Sequence, residues 1–202
     1  MNELVIATRN SGKVSDFKEL FSGLFQVKSL IDFPEVPEII EDGNTFKENA
    51  AKKAETLSAY LNRPVLADDS GLIVDALDGR PGVFSARYAG PDKSDQDNIN
   101  KVLQEMADLA VEDRTARFYC VIALAEPGKE TVYAEGACEG IIAREESGTN
   151  GFGYDPIFFV PSYNKTMAQL VPQVKNEISH RGNALRNLKG RLAGGCHEHS
   201  YR

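Results

Sequence analysis

Asp68 and Asp69 stand side by side after an apolar run, Val65-Leu66-Ala67, and lead into Ser70, Gly71 and a second apolar run, Leu72-Ile73-Val74. Carboxylates on a buried strand need partners, because an unpaired charge away from water is costly. A hard divalent cation fits that need, since Mg²⁺ takes one or two carboxylates and keeps its other positions for water and phosphate oxygens. Ser70 adds a donor beside the pair, and Gly71 allows a sharp backbone turn. The plainer alternative is a strand end where Asp68 caps a turn and Asp69 is solvated.

Several other segments carry groups that suit a polyanion. Thr8-Arg9-Asn10-Ser11-Gly12-Lys13 follows the apolar run Leu4-Val5-Ile6-Ala7 and precedes a helical pattern. Backbone N–H groups at a helix start favour an anion, and Lys13 supplies a full charge. The Gly-Lys pair is not a Walker motif, because the first glycine is missing and Val14 stands where Ser or Thr is required. A simple N-cap at Asn10 or Ser11 with a solvated Lys13 explains the segment equally well. Further on, Gly151 and Gly153 flank Phe152, so that a flat ligand can approach the ring, while Asp155 can accept a hydrogen bond from a base or sugar edge. Lys175, Ser179, His180 and Arg181 form a dense set of donors suited to phosphates or a purine carbonyl. A loop with one aromatic anchor and a basic helix surface are the competing explanations.

These residues must be held by regular elements. Leu4-Val5-Ile6-Ala7 has the character of a strand buried on both faces. The helix after it carries Val14, Phe17, Phe21 and Leu24 on one face, and residues 25–30 form a second strand. Thr45 and Glu48 have capping-box spacing, and Phe46, Ala50, Ala54, Leu57 and Leu61 make the apolar stripe of the helix they open. At about 100° per residue, Lys53 falls within about 20° of Phe46, inside that stripe. It therefore needs either a partner, such as the Asp68-Asp69 pair or a substrate phosphate, or a route out to water. Glu41 precedes this helix and is available to join the acidic pair, whereas Glu48 is explained as a cap. Residues 75–90, with Arg80, Arg87 and Tyr88, form a long irregular loop of the kind that serves as a lid or interface. A helix from Ser94 and two strands, residues 115–125 and 130–141, follow, the strands joined by the turn Glu126-Pro127-Gly128-Lys129. Strands joined by helices early and by a hairpin late imply an α/β fold with a mixed sheet.

With 202 residues the chain is long enough for one sizeable domain or two small lobes. A net charge of −7 argues against general nucleic-acid binding or an acidic membrane surface, which need a basic face, but not against a small polyanion held by a few cations. Cys120, Cys138 and Cys196 are odd in number and widely spaced, as expected of reduced thiols in a cytoplasmic chain. No signal peptide or membrane-spanning apolar run is visible. Residues 193–202, with Cys196, His197 and His199, are expected to be a flexible tail.

The separated motifs Ala7-Thr8-Arg9-Asn10, Thr45-Phe46-Lys47-Glu48-Asn49-Ala50, residues 66–72, residues 152–156 and Ser179-His180-Arg181 together resemble the inosine/xanthosine triphosphate pyrophosphatases, the non-canonical purine nucleoside triphosphate pyrophosphatase family. The resemblance implies an elongated mixed β-sheet flanked by helices, two lobes with a central active-site cleft, and a homodimer. It also implies Mg²⁺-dependent hydrolysis of ITP, dITP and XTP to the monophosphate and pyrophosphate. On this resemblance Thr8, Arg9, Asn10, Ser11, Gly12 and Lys13 bind the triphosphate. Glu41 and Asp69 hold the metal, and Asp69, with Asp68 and Lys53, is catalytic. Ser70, Phe152, Gly153, Tyr154, Asp155, Lys175, His180 and Arg181 complete the substrate site. Asp16 departs from the family's usual glutamate, which puts a phosphate or metal role there in doubt. A Maf-like pyrophosphatase acting on other nucleotides and a nucleotide-binding regulator without turnover are the alternatives.

Overall fold

A computed structural model describes residues 2–37, 39–91 and 94–194. Strand β1 (Asn2–Ile6) is followed by helix α1 (Ser11–Leu20), β2 (Phe25–Ser29), α2 (Phe46–Leu61) and β3 (Val65–Val74). Then come α3 (Asp95–Glu105), β4 (Thr115–Ala125), β5 (Val132–Ile142), β6 (Phe158–Val160), β7 (Lys165–Thr166), α4 (Pro172–Ile178) and α5 (His180–Gly194). The seven strands form a single sheet in the order β2-β1-β3-β4-β5-β6-β7. It is mixed: β1 runs parallel to β2 and β3, whereas β6 is antiparallel to β5 and β7.

The chain divides into two compact units. The first comprises the described residues of Met1–Asp69, Cys120–Gly136 and Arg181–Arg202. Its core gathers Leu4 and Ile6 of β1, Phe17 and Phe21 around α1, Leu66 of β3, Cys120 and Ile122 of β4, and Leu185 and Leu188 of α5. The second comprises Ser70–Tyr119 and Ala137–His180. Leu72 and Val74 of β3, Ile99 and Val102 of α3, Phe118 of β4, and Tyr154, Ile157 and Phe158 lie in its core. Each unit buries its own apolar set, the dominant favourable contribution to folding.

Local chemistry explains the elements that frame the site. Asn10 caps α1, its side chain accepting from the Lys13 N–H at 3.0 Å. Thr45 and Glu48 form the expected capping box at the start of α2. Ser94 caps α3, accepting from the Asp97 N–H. The expected apolar face of the first helix is cut short: α1 ends at Leu20, Phe21 is its cap, and Leu24 is 53% exposed. The fifth strand begins at Val132, two residues later than expected, and ends at Ile142. Residues 75–90 contain two short 3₁₀ turns and are fastened onto α3, where Arg80 and Tyr88 reach Glu105 and the Ala89 N–H donates to Asn98. Helix α5 extends to Gly194, and Cys196, His197 and His199 lie outside the described residues. No helix among the described residues is long and apolar enough to cross a membrane.

Candidate active site

In the first unit, five segments deliver charge to one place. Asp68 is buried near the middle of β3, its side chain fully shielded from solvent. Lys13, from the first turn of α1, reaches Asp68 Oδ2 at 2.9 Å, and Arg181 Nε, from α5, reaches the same oxygen at 3.3 Å. Burial raises the Asp68 pKa, but Lys13, then Arg181 and Lys53 outweigh it and hold the carboxyl well below its ordinary range. Lys53, on the buried face of α2, donates to the Asp68 carbonyl at 2.7 Å and to Glu41 Oε2 at 2.9 Å, and lies 4.0 Å from Asp69 Oδ1. The lysine within the apolar stripe thus has partners and does not run out to water. Burial disfavours its charge, yet Glu41, Asp69 and Asp68 more than restore it, so its pKa is raised.

Asp69 differs from its neighbour. Burial is the largest influence and, with Glu41, raises its pKa, while Lys53, Lys13 and a hydrogen bond from Asn49 only partly offset that. The two adjacent carboxyls are thus shifted in opposite directions, Asp69 toward holding its proton and Asp68 toward losing it. Glu41 and Asp69 face the same ammonium, that of Lys53, at 2.9 and 4.0 Å.

The loop before α1 is more self-satisfied than a bare phosphate cradle. Thr8 Oγ1 accepts from the Asn10 N–H, Asn10 caps Lys13, and the Arg9 guanidinium donates to the Val36 carbonyl at 2.7 Å. Asn10 is therefore the N-cap, but Lys13 points to Asp68 and not into bulk solvent. Ser11 opens α1 exposed, and Gly12 and Lys13 are half-buried. Asp16, the departure from the family pattern, pairs with Arg181 Nη1 at 3.0 Å.

The second unit holds a separate polar group. Lys175 of α4 donates to Asp155 Oδ2 at 2.8 Å, both side chains being buried, and the Phe152 N–H donates to the same oxygen at 3.0 Å. Lys175 Nζ also lies 5.1 Å from the centre of the Phe152 ring. Gly151 has φ +82°, and a Cβ there would stand 2.0 Å from Asp155 Oδ2, so only glycine permits this close approach. The Gly153 N–H donates to Asp95 at the start of α3. Tyr154 is core: its ring packs among the buried apolar residues and its hydroxyl donates to the Ser85 carbonyl, which leaves its backbone as what it can offer a ligand. His180 stacks on Phe118 with ring centres 5.0 Å apart. Ser70, next along β3 from Asp69, is half-buried. Of the expected donors on the last helices, Lys175 and His180 fall in this unit, whereas Arg181 joins Asp68 and Asp16 in the first.

Sequence reasoning passed over Asn49. It is 1% exposed and donates to Asp69 Oδ2 at 3.0 Å. The available signal was its spacing from Lys53: residues four apart on a helix share a face.

Residues 4–191 match the model of the Ham1 family. The chain is 65% identical over 194 residues to a dITP/XTP pyrophosphatase of Shouchella clausii (96% of this chain, 98% of the relative). It is 58% identical over 189 residues to a dITP/XTP pyrophosphatase of Halalkalibacterium halodurans (93% and 97%). Among solved structures, the Staphylococcus aureus Ham1 protein superposes with a TM-score of 0.84 at 47% identity, covering 96% of this chain and all of that one.

Proposed function

Since the chain belongs to the Ham1 family, we propose that it hydrolyses non-canonical purine nucleoside triphosphates (dITP, ITP and XTP) to the monophosphate and pyrophosphate, clearing them from the nucleotide pool. The observation that carries this is the meeting of Lys13, Lys53 and Arg181 with Asp68, Asp69 and Glu41 in the first unit. Cations and acids drawn from distant segments into one buried cluster suit a polyphosphate that arrives with a divalent ion.

Mg²⁺ fits the donor set. Glu41 and Asp69 are hard oxygen ligands, and among the described residues no group of three or more potential ligands gathers as a complete protein cage. Two carboxylates suffice when substrate phosphates and water fill the remaining positions. Bound there, Mg²⁺ would neutralise charge on phosphate oxygens. The chain's own residues do the rest. Asp69 accepts the proton of the attacking water at its carboxylate. Lys13 and Lys53 stabilise negative charge on the departing pyrophosphate, and Asp68 holds Lys13 in place for that task.

The base falls to the second unit. Hypoxanthine and xanthine offer a 6-carbonyl acceptor and an N1–H donor, whereas adenine offers an amino donor and a bare N1. Lys175 supplies a donor and Asp155 an acceptor, so the hypoxanthine or xanthine edge matches them, whereas adenine would set its amino group against the ammonium and its bare N1 against the carboxylate. Phe152 offers a stacking face. Cytoplasmic residence and the homodimer belong to the same proposal.

A substrate panel tests it. With Mg²⁺, dITP and XTP are expected to yield pyrophosphate at least about a hundredfold more efficiently than dATP, and chelator is expected to abolish turnover. Equal rates on dATP and dITP would contradict the substrate assignment.

A further inference from the structure

The acids Glu41 and Asp69 come from a loop and a strand, and neither element alone fixes one relative to the other. The loop residues after Glu41 are tied to the first turn of α2: the Asn44 and Thr45 N–H groups donate to Glu48 Oε2 at 2.7 and 3.2 Å, and the Gly43 N–H donates to Asn49 Oδ1 at 2.8 Å. Of these ties, it is the one through Asn49 that continues to β3, because the other end of the same carboxamide donates to Asp69 Oδ2 at 3.0 Å. One turn further along α2, Lys53 approaches the other oxygen, Asp69 Oδ1, and also bonds Glu41.

We infer that Asn49 is a positioning residue, whose carboxamide links the Gly43 peptide, and with it the loop bearing Glu41, to the Asp69 carboxylate, so that both acids are presented together to one cation. The inference rests on the metal reading given above. Its chemistry is restrictive. The Gly43 N–H is a donor, so the atom facing it must be an acceptor; the Asp69 carboxylate is an acceptor, so the atom facing it must be a donor. A side chain short enough for this gap with an acceptor at one end and a donor at the other is asparagine. Aspartate would satisfy Gly43 but oppose Asp69, and leucine would satisfy neither. The close approach also demands glycine at position 43, where a Cβ would stand 2.7 Å from Asn49 Oδ1 and 2.8 Å from Glu48 Cβ.

Two variants break the same link from opposite ends. Asn49→Leu removes both hydrogen bonds at similar volume, and Gly43→Ala pushes the peptide away while leaving Asn49 and Asp69 intact. Each is read by Gly43 amide exchange in the metal-free protein, Mn²⁺ binding to the protein without nucleotide, and half-saturating Mg²⁺ in dITP turnover. In Asn49→Leu the Gly43 amide is expected to exchange faster, and both the Mn²⁺ dissociation constant and the half-saturating Mg²⁺ to rise at least about tenfold. The KM for nucleotide at saturating Mg²⁺ is expected to stay within about twofold. Gly43→Ala is expected to shift the same quantities in the same direction by less. Unchanged Gly43 exchange, or Mn²⁺ affinity equal to wild type in a folded Asn49→Leu protein, would overturn the inference, as would a loss of activity with metal affinity unaltered. Should wild type fail to hydrolyse dITP, the substrate proposal fails, while Gly43 exchange and Mn²⁺ binding still decide the role of Asn49.

Discussion

Asp68 and Asp69 are adjacent residues with opposite electrostatic fates. Asp68 has two cations on one oxygen, at 2.9 and 3.3 Å, whereas the Lys53 ammonium stands 4.0 Å from Asp69. Burial raises both pKa values, and only Asp68 has cations enough to reverse it. Neutralising Asp68 leaves Lys13 and Arg181 facing each other without their shared anion. Asp68→Asn is therefore expected to destabilise the metal-free protein by about 3 kcal/mol at pH 7. The sign with pH follows: a carboxyl whose folded pKa is depressed contributes stability above its unfolded pKa of about 3.9 and loses it as pH falls toward the folded value. Denaturant melts in chelator should show the gap between wild type and Asp68→Asn constant near neutrality and shrinking below about pH 4. In the second unit, Gly151→Ala would drive a methyl into the Asp155–Lys175 pair. Losing a charged recognition contact of about 1.5–3 kcal/mol should lower kcat/KM for dITP at least about tenfold, measured by pyrophosphate release. At this scale the sequence was readable where a residue was chemically out of place. Lys53 stood out because a lysine within an apolar stripe needs an explanation. Asn49 did not, since a small polar residue at the edge of such a stripe violates nothing. Arg181 was legible as a donor but not as a partner of Asp68, because residues 113 positions apart carry no local sign of contact.

Helices and strands were legible wherever local chemistry decided them. The Thr45–Glu48 box started α2, Ser94 started α3, and the strand expected over residues 115–125 matches β4. Misplacements came where context overrode pattern, as at Leu24, which kept the helical spacing after α1 had ended. The loop of residues 75–90, open in sequence to being a lid, is fastened to α3 by side chains that periodicity cannot reveal. Arg114 shows the same limit. It is 2% exposed and donates to the carbonyls of Met106, Ile142 and Ala143, closing the C-terminal end of α3 onto the end of β5. Cationic donors at a helix C-terminus complement its dipole as well as its unpaired carbonyls. Arg114→Met keeps apolar bulk but removes the donors, and is expected to cost about 3 kcal/mol in urea unfolding. Turnover of dITP by the folded fraction should be unchanged, because these contacts lie within the scaffold of the second unit.

Across the whole molecule, a net charge of −7 and a polyanionic substrate are reconciled by placing a few cations where they count. Each compact unit has its own apolar core and its own polar cluster: acids, Lys13, Lys53 and Arg181 in the first; Asp155, Lys175, Phe152 and His180 in the second. Under the proposed function, anhydride chemistry belongs to the first cluster and base selection to the second, so substitutions in the two clusters should affect different quantities. The most direct measurement is product analysis of dITP incubated with Mg²⁺ and either wild type or Asp69→Asn. Wild type is expected to give dIMP and pyrophosphate in equal amounts, and Asp69→Asn to be slower by at least about a hundredfold while remaining folded. Release of inorganic phosphate in place of pyrophosphate, or an Asp69→Asn protein as fast as wild type, would contradict the assignment of the first unit's cluster as the catalytic site.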